Sequence, residues 1–219
     1  MTNKCSWPDC LEKPVQTIKL PYTNQNPEVN LCQHHYDLHQ TADQCWEKIK
    51  NTNGYNETNI IFHDSSISIF REALLSYSMG LNATVALLCR ASMESAMHAY
   101  ISSDNPKYEN LPTTGIFIRT FNHNYACDNI RLTDLINYLK KNNVLVNMNN
   151  IDYKINVVKN TGDFVAHHSE RFWKNANKNN SNNIPLKLWV SDDEAKKSLI
   201  HTSEIISELI NKYYNDTKP

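Results

Sequence analysis

Cys5, Cys10, Cys32 and His35 constrain this chain more than any other residues in it. They fall into two close pairs, C-x4-C around Pro8 and C-x2-H, with a segment of hairpin length between them. Zinc takes four nitrogen or sulfur ligands in a tetrahedron, and structural sites draw two of them from each of two tight turns. The pattern predicts one structural zinc ion in a treble-clef-like module spanning residues 1–50. Val15-Gln16-Thr17-Ile18-Lys19-Leu20 and Glu28-Val29-Asn30-Leu31 read as its two strands, joined by a polar turn. A helix follows from His35 to about Lys50, with Tyr36, Leu38, Ala42 and Trp46 as its inner face.

A second reading treats these cysteines as small buried hydrophobes and the histidines as surface residues. Ligand type, pair spacing and the strand-to-helix position all favour the metal. Three neighbours compete for the fourth position: His34 is adjacent, His39 lies one turn on, and Cys45 sits further along the helix. A catalytic zinc keeps one position open, and here four protein ligands fill the tetrahedron. The module is not basic either: its lysines are outnumbered by Asp9, Glu12, Glu28, Asp37, Asp43 and Glu47. A nucleic-acid finger shows the reverse balance, so docking of a partner protein fits this module better.

Composition narrows the rest. The chain has 219 residues and a net charge of -1, so no global basic field exists to hold nucleic acid. Only 4 glycines disfavour a glycine-rich phosphate loop and a turn-rich all-β fold. No secretory signal and no membrane-spanning apolar run is visible, which implies a cytoplasmic protein with reduced cysteines.

Beyond a linker at 51–59, residues 60–219 read as a helical domain, so the fold class is mostly α. Asp64 can cap a helix reaching about Tyr77, with Ile67, Phe70, Leu74 and Leu75 at helical spacing. Asn82 to about Ile101 is the strongest helix, lined by Val85, Leu88, Cys89, Met93 and Met97. Ser102–Asn124 reads as a proline-bearing loop, Leu132–Lys141 as a short helix, and Ile151 to about Phe172 as a longer one. The stretch 175–183 is almost entirely Asn, Lys and Ser and reads as a loop. Ser191 with Glu194 forms a capping box for a final helix running to about Tyr213.

Two polar groupings interrupt the apolar helices. Arg90 and Glu94 stand four residues apart on one face, either as a structural ion pair or as part of a site. Asn160, Asp163 and His167 share a face of the later helix, where Asp163 can orient His167 as a general acid or base. The alternative is an Asp–His pair that merely faces solvent. Gly162 costs helix stability, which points to close approach by a neighbouring helix.

The segments RASMESAMHAYI and VVKNTGDFVAHH together resemble the bacterial HEPN-like family called domain of unknown function 4145. That family pairs an Arg-x-x-x-Glu helix with a later helix reading roughly Ile-Arg-x-x-Gly-Asn-x-x-Ala-His. Arg90 and Glu94 match the first motif; Val158, Lys159, Gly162, Asp163, Ala166 and His167 take the second. The likeness covers about Phe62 to Phe172. It implies a helical bundle, a homodimer, and a role in a bacterial defence or toxin-type system acting on RNA. Many HEPN relatives are metal-independent endoribonucleases that use an arginine and a histidine a few residues apart on one helix. There the histidine acts as acid or base, and a cation steadies the charge on the phosphorane. The resemblance thus nominates Arg90, Glu94, Lys159, Asp163 and His167 as catalytic. Lys159 stands where the motif has Arg, and Asn160, at the nuclease spacing, carries no charge. Lysine lacks the planar two-pronged phosphate contact of arginine. Either Arg90 supplies the cation, or the domain is a non-catalytic module that binds protein or RNA.

Overall fold

A computed structural model describes residues 4–23, 25–56, 66–102, 116–120, 124–128, 132–145, 148–167 and 189–217. Among these the chain forms six α-helices and two β-hairpins. Strands β1 (Gln16–Lys19) and β2 (Glu28–Leu31) pair antiparallel, with Gln16 opposite Leu31 and Lys19 opposite Glu28. Helix α1 (Gln33–Lys50) follows directly, with Cys32 as its N-cap. Helices α2 (Ser68–Ser78), α3 (Asn82–Ser102), α4 (Leu132–Lys141), α5 (Ile151–Ala166) and α6 (Asp192–Thr217) make up the bundle. The mostly α reading and the N-terminal hairpin are therefore correct. No helix among the described residues is long and apolar enough to cross a membrane.

The sequence reading of Ser102–Asn124 as one loop needs correction. Within it Ile116–Thr120 forms β3, which pairs antiparallel with β4 (Asn124–Asp128). Helix α5 also ends earlier than expected, at Ala166, with His167 leaving helical geometry at φ -108°, ψ 16°. The remainder of the expected helix, Asp64 and the 175–183 stretch lie outside the described residues.

Helix α3 packs against α2, α5 and α6, and α6 packs in turn against α1, α3 and α5. Periodicity explains α3: Val85, Cys89, Met93, Met97 and Tyr100 are fully buried at helical spacing, with Ala86 and Ala96 between them. The start of α6 is a reciprocal cap. The Glu194 carboxylate accepts from the Ser191 backbone N–H at 3.0 Å, and the Glu194 N–H donates to the Ser191 hydroxyl at 3.3 Å.

Helix α1 turns the expected face inward, and that face is wider than read. Ala42 and Trp46 are buried as read, but Tyr36 and Leu38 are only half-buried. Both still pack against the core, and His39, Cys45 and Ile49 are buried beside them. His39 is buried because it has a partner: its Nδ1 lies 3.0 Å from the Tyr22 hydroxyl, which also bonds Ser78 of α2. Arg71 of α2 donates to the Tyr22 carbonyl at 2.6 Å and lies over the Trp46 ring. One tyrosine from the hairpin is thus tied to α1 and α2 together. We expect Tyr22→Phe to lower stability by about 1–3 kcal/mol, because it leaves the buried His39 without its partner and removes one of the two bonds of Ser78, which keeps the Leu74 carbonyl. Chemical denaturation would measure it; a change below about 0.5 kcal/mol would show that Ser78 and His39 simply re-pair. Burial also holds the His39 imidazole below its ordinary pKa, against the pull of Asp43.

Candidate metal centre and interhelical charge cluster

The donor atoms of Cys5, Cys10, Cys32 and His35 all lie within 4.8 Å of one another. His35 Nδ1 is 3.1 Å from Cys32 Sγ and 3.5 Å from Cys5 Sγ, and Cys10 Sγ is 3.8 Å from Cys32 Sγ. Local chain geometry builds this arrangement. The first knuckle is closed by Cys5 N–H to the Glu12 carbonyl at 3.0 Å and Cys10 N–H to the Trp7 carbonyl at 3.3 Å. Asp9 takes the left-handed conformation at φ 60° in the turn, which short Asp side chains tolerate. The knuckle is then pinned to β2 by Ser6 N–H to the Asn30 carbonyl at 2.7 Å and Asn30 N–H to the Ser6 hydroxyl at 2.8 Å.

The second pair sits at the start of α1. The Cys32 side chain makes no capping hydrogen bond, and its sulfur faces the other donors instead. Three sulfurs and one imidazole nitrogen this close form a donor set that suits a metal ion. Electrostatics agree. Burial raises the Cys5 thiol, but backbone hydrogen bonds at Trp7 and Cys32 outweigh it and draw its pKa down. The Glu12 backbone pulls Cys10 down, yet burial and the neighbouring Cys32 and Cys5 thiols leave it raised. Adjacent thiolates repel, and a bound cation removes that penalty.

The competing ligands are placed elsewhere. His34 is exposed and meets the His35 ring edge-on. His39 bonds Tyr22. Cys45 is buried further along α1, where burial pushes its thiol up to about 11.

The second grouping forms where α3 and α5 meet. Arg90 Nε and Asp163 Oδ1 are 2.7 Å apart, an ion pair lying off the line of a straight hydrogen bond. Arg90 Nη1 also reaches Glu94 at 3.4 Å, and Lys159 Nζ donates to Asp163 Oδ2 at 2.8 Å. Four of the five expected catalytic residues therefore join in one network. His167 lies one turn past Asp163, exposed, with its backbone N–H donating to the Asp163 carbonyl at 3.0 Å. Burial raises the Asp163 carboxyl, but Lys159 and Arg90 outweigh it and hold the group below the ordinary carboxylate range. The sequence reading missed His98, one turn past Glu94 at i+4. Burial lowers its pKa against the pull of Glu94.

Gly162 explains how the helices come so close. A Cβ there would stand 2.5 Å from Arg90 Cβ, 2.7 Å from Arg90 Cδ and 3.0 Å from the Ala86 carbonyl oxygen. The close approach is thus spent inside the chain and carries no argument for a dimer. We expect Gly162→Ala to destabilise by about 1–3 kcal/mol through overpacking, although alanine favours the helix by about 1 kcal/mol. Thermal unfolding of the variant checks this, and a stabilised variant would show that α3 and α5 can part freely.

Compared with known proteins, the chain matches no protein-family model, no curated protein and no solved structure.

Proposed function

We propose that this chain is a zinc-clamped, HEPN-like helical module of a bacterial defence or toxin-type system, and that it works by docking a protein partner rather than by cutting RNA. The observation that carries this reading is the double commitment of Asp163 to Arg90 and Lys159. With Glu94, the four side chains hold two positive and two negative charges. A phosphorane needs an uncompensated cation beside it, and here both cations are paired, Arg90 across the helix contact and Lys159 within α5. The acidic N-terminal module and the net charge of -1 favour a protein over an RNA partner. Zinc is the metal of this proposal because three thiolates and an imidazole suit it and leave no position for catalysis. The cytoplasm, where thiols stay reduced, is the compartment that fits.

A metal-independent endoribonuclease is the second reading. It is favoured by the exposed His167 beside the charged network, and it would require the homodimer that the resemblance implies, to bring two such networks face to face. One experiment separates the two. Purified protein is incubated with labelled tRNA and mRNA in the presence of chelator, beside His167→Ala, and the RNA ends are analysed. We expect no cleavage by either protein. Cleavage that His167→Ala abolishes, with an unchanged melting temperature, would overturn the docking proposal in favour of the nuclease.

A further inference from the structure

The turn that ends α1 carries the dipeptide Asn53-Gly54, and of the chain's 4 glycines only Gly54 follows an asparagine. Asparagine is thermolabile because its side-chain carbonyl carbon can close a five-membered ring with the next backbone nitrogen. In most folded segments that nitrogen is out of reach: its N–H is committed to a hydrogen bond, and the next side chain crowds the approach. Glycine has no Cβ to stand in the way. The dipeptide takes no part in the metal centre or the Arg90 network.

The fold leaves the reacting groups open. The neighbouring backbone donors are all spent: Asn51 N–H goes to the Glu47 carbonyl at 2.9 Å, Thr52 N–H to Ile49 at 3.0 Å and Tyr55 N–H to Thr52 at 3.0 Å. Among the described residues the Gly54 N–H has no acceptor, and the Asn53 side chain neither donates nor accepts a hydrogen bond. Asn53 is exposed and lines an open groove between the end of α1 and α6, so water reaches its carboxamide.

The residues that follow are held in place. Gly54 takes φ +84° and sits so tightly on α6 that a Cβ there would stand 2.3 Å from Tyr214 Cβ. Tyr55 meets the Trp46 ring edge-on, with 6.2 Å between centroids. An anchored nitrogen with no acceptor, beside a side chain free to change rotamer, is the arrangement that ring closure needs.

We propose that Asn53 is a site of spontaneous deamidation in the folded protein, which turns it into aspartate and isoaspartate. The Gly54 nitrogen gives its proton to solvent and attacks Asn53 Cγ. The new N–Cγ bond closes a succinimide as the Cγ–Nδ2 bond breaks, and Nδ2 leaves as ammonia with a proton taken from water. A water molecule then opens the ring. Addition at Cγ restores the ordinary backbone and leaves an aspartate. Addition at the backbone carbonyl carbon breaks its bond to the Gly54 nitrogen, and the chain then runs through Cβ and Cγ as isoaspartate. Asparagine and water become a carboxylate-bearing residue and ammonia, with nothing oxidised or reduced. The isoaspartate form lengthens the backbone of a turn that cannot shift towards α6, because Tyr214 already fills that space. It therefore loses its seat on Tyr214, whereas the aspartate form changes only charge.

The test is incubation of the full chain at mildly alkaline pH, beside a sample unfolded in guanidinium, followed by peptide mass mapping. The folded protein should gain about 1 Da, the difference between O–H and NH2, in the peptide carrying residues 53 and 54. That peptide should split into two species of equal mass. Conversion should quicken in proportion to hydroxide, since the nitrogen attacks only after losing its proton. Its rate in the folded protein should lie within about tenfold of the unfolded rate, a small difference in barrier. Asn53→Gln, whose amide would have to close a larger ring, should keep its mass at this position. Freshly purified Asn53→Asp should keep the wild-type melting temperature, and aged wild type should melt below both. An Asn53 that stays intact in the folded chain while the unfolded sample converts would overturn the proposal, because the turn would then be keeping the nitrogen from the side chain. So would a mass gain confined to other asparagines. Equal melting of aged and fresh protein would overturn the loss of the Tyr214 contact.

Discussion

Cys32→Ser is expected to release the metal and to unfold the hairpin while leaving the helical bundle standing. Wild-type protein purified without added metal should carry one zinc per chain by elemental analysis, and the variant none. The asymmetry follows from how the parts are held. The Cys32 sulfur lies 3.8 Å from Cys10 in the other knuckle and 3.1 Å from the imidazole of His35. Its loss separates the two pairs. The two-stranded sheet that carries them is too small to be stable alone. Zinc binding in modules of this size contributes roughly 10–16 kcal/mol of apparent free energy, most of it realised as folding. By contrast α1 is packed against α2 and α6, so most of it should survive. Hydrogen exchange should show the amides of β1 and β2 losing protection while those from Ala42 to Ile49 retain it. A metal-free protein with a fully protected hairpin would refute the structural role.

Asp163→Ala should be the most damaging change inside the bundle. It strips Arg90 and Lys159 of their shared anion at the contact between α3 and α5. Removing one partner from a buried pair costs about 3–5 kcal/mol, but these side chains keep 15–27% of their exposure. Screening reduces the expected loss to about 1–3 kcal/mol. A double-mutant cycle with Arg90→Ala would isolate the pair, and a coupling near zero would mark the contact as incidental. The same carboxylate sets a pH dependence. Its folded pKa lies below the unfolded value, so between the two the unfolded chain binds more protons. The stabilisation is therefore complete above the unfolded carboxylate pKa, about 3.9, and is lost as pH falls through the folded one. Glu204 adds to this loss in acid: burial raises it, but Lys154, His201 and Lys48 draw it down on balance. Asp163→Asn should flatten the acid limb of the stability curve.

The metal centre was readable from the sequence because its chemistry ties residue type to spacing. His35 was read as its fourth member from the C-x2-H spacing, and the start of α1 shows why it, and not His34, joins the sulfurs. With Cys32 as N-cap, His35 falls in the first turn facing the sulfurs and His34 turns outward. His39 could have been assigned to the core only by knowing that Tyr22 arrives opposite it. The second hairpin was missed for a related reason. Ile116–Thr120 is rich in β-formers, but no glycine marks the turn after it, so turn chemistry gave no signal. Within α5, Asp163 is as well spaced for Lys159 as for His167. Spacing alone cannot choose between an ion pair and a catalytic dyad, and the arrival of Arg90 from α3 sets the pairing with the cations.

The position of α6 in the chain carries a kinetic consequence. Its partners are distant in sequence: Asn82 bonds Val190 and Asp192, Tyr100 bonds Asp216, and Lys48 pairs with Glu204. During synthesis, α1 and α3 emerge from the ribosome long before the helix that covers them. For that interval Met93, Met97 and Ile49, all fully buried in the finished fold, face solvent or a chaperone. Closing loops of this length is slow, because the entropy of closure is lost before the contacts form. The four donors of the candidate metal centre all fall within residues 5–35, so a cluster able to hold an ion can form early and order the start of α1. Metal supply would then act on the yield of folded protein during synthesis as well as on the stability of the mature chain.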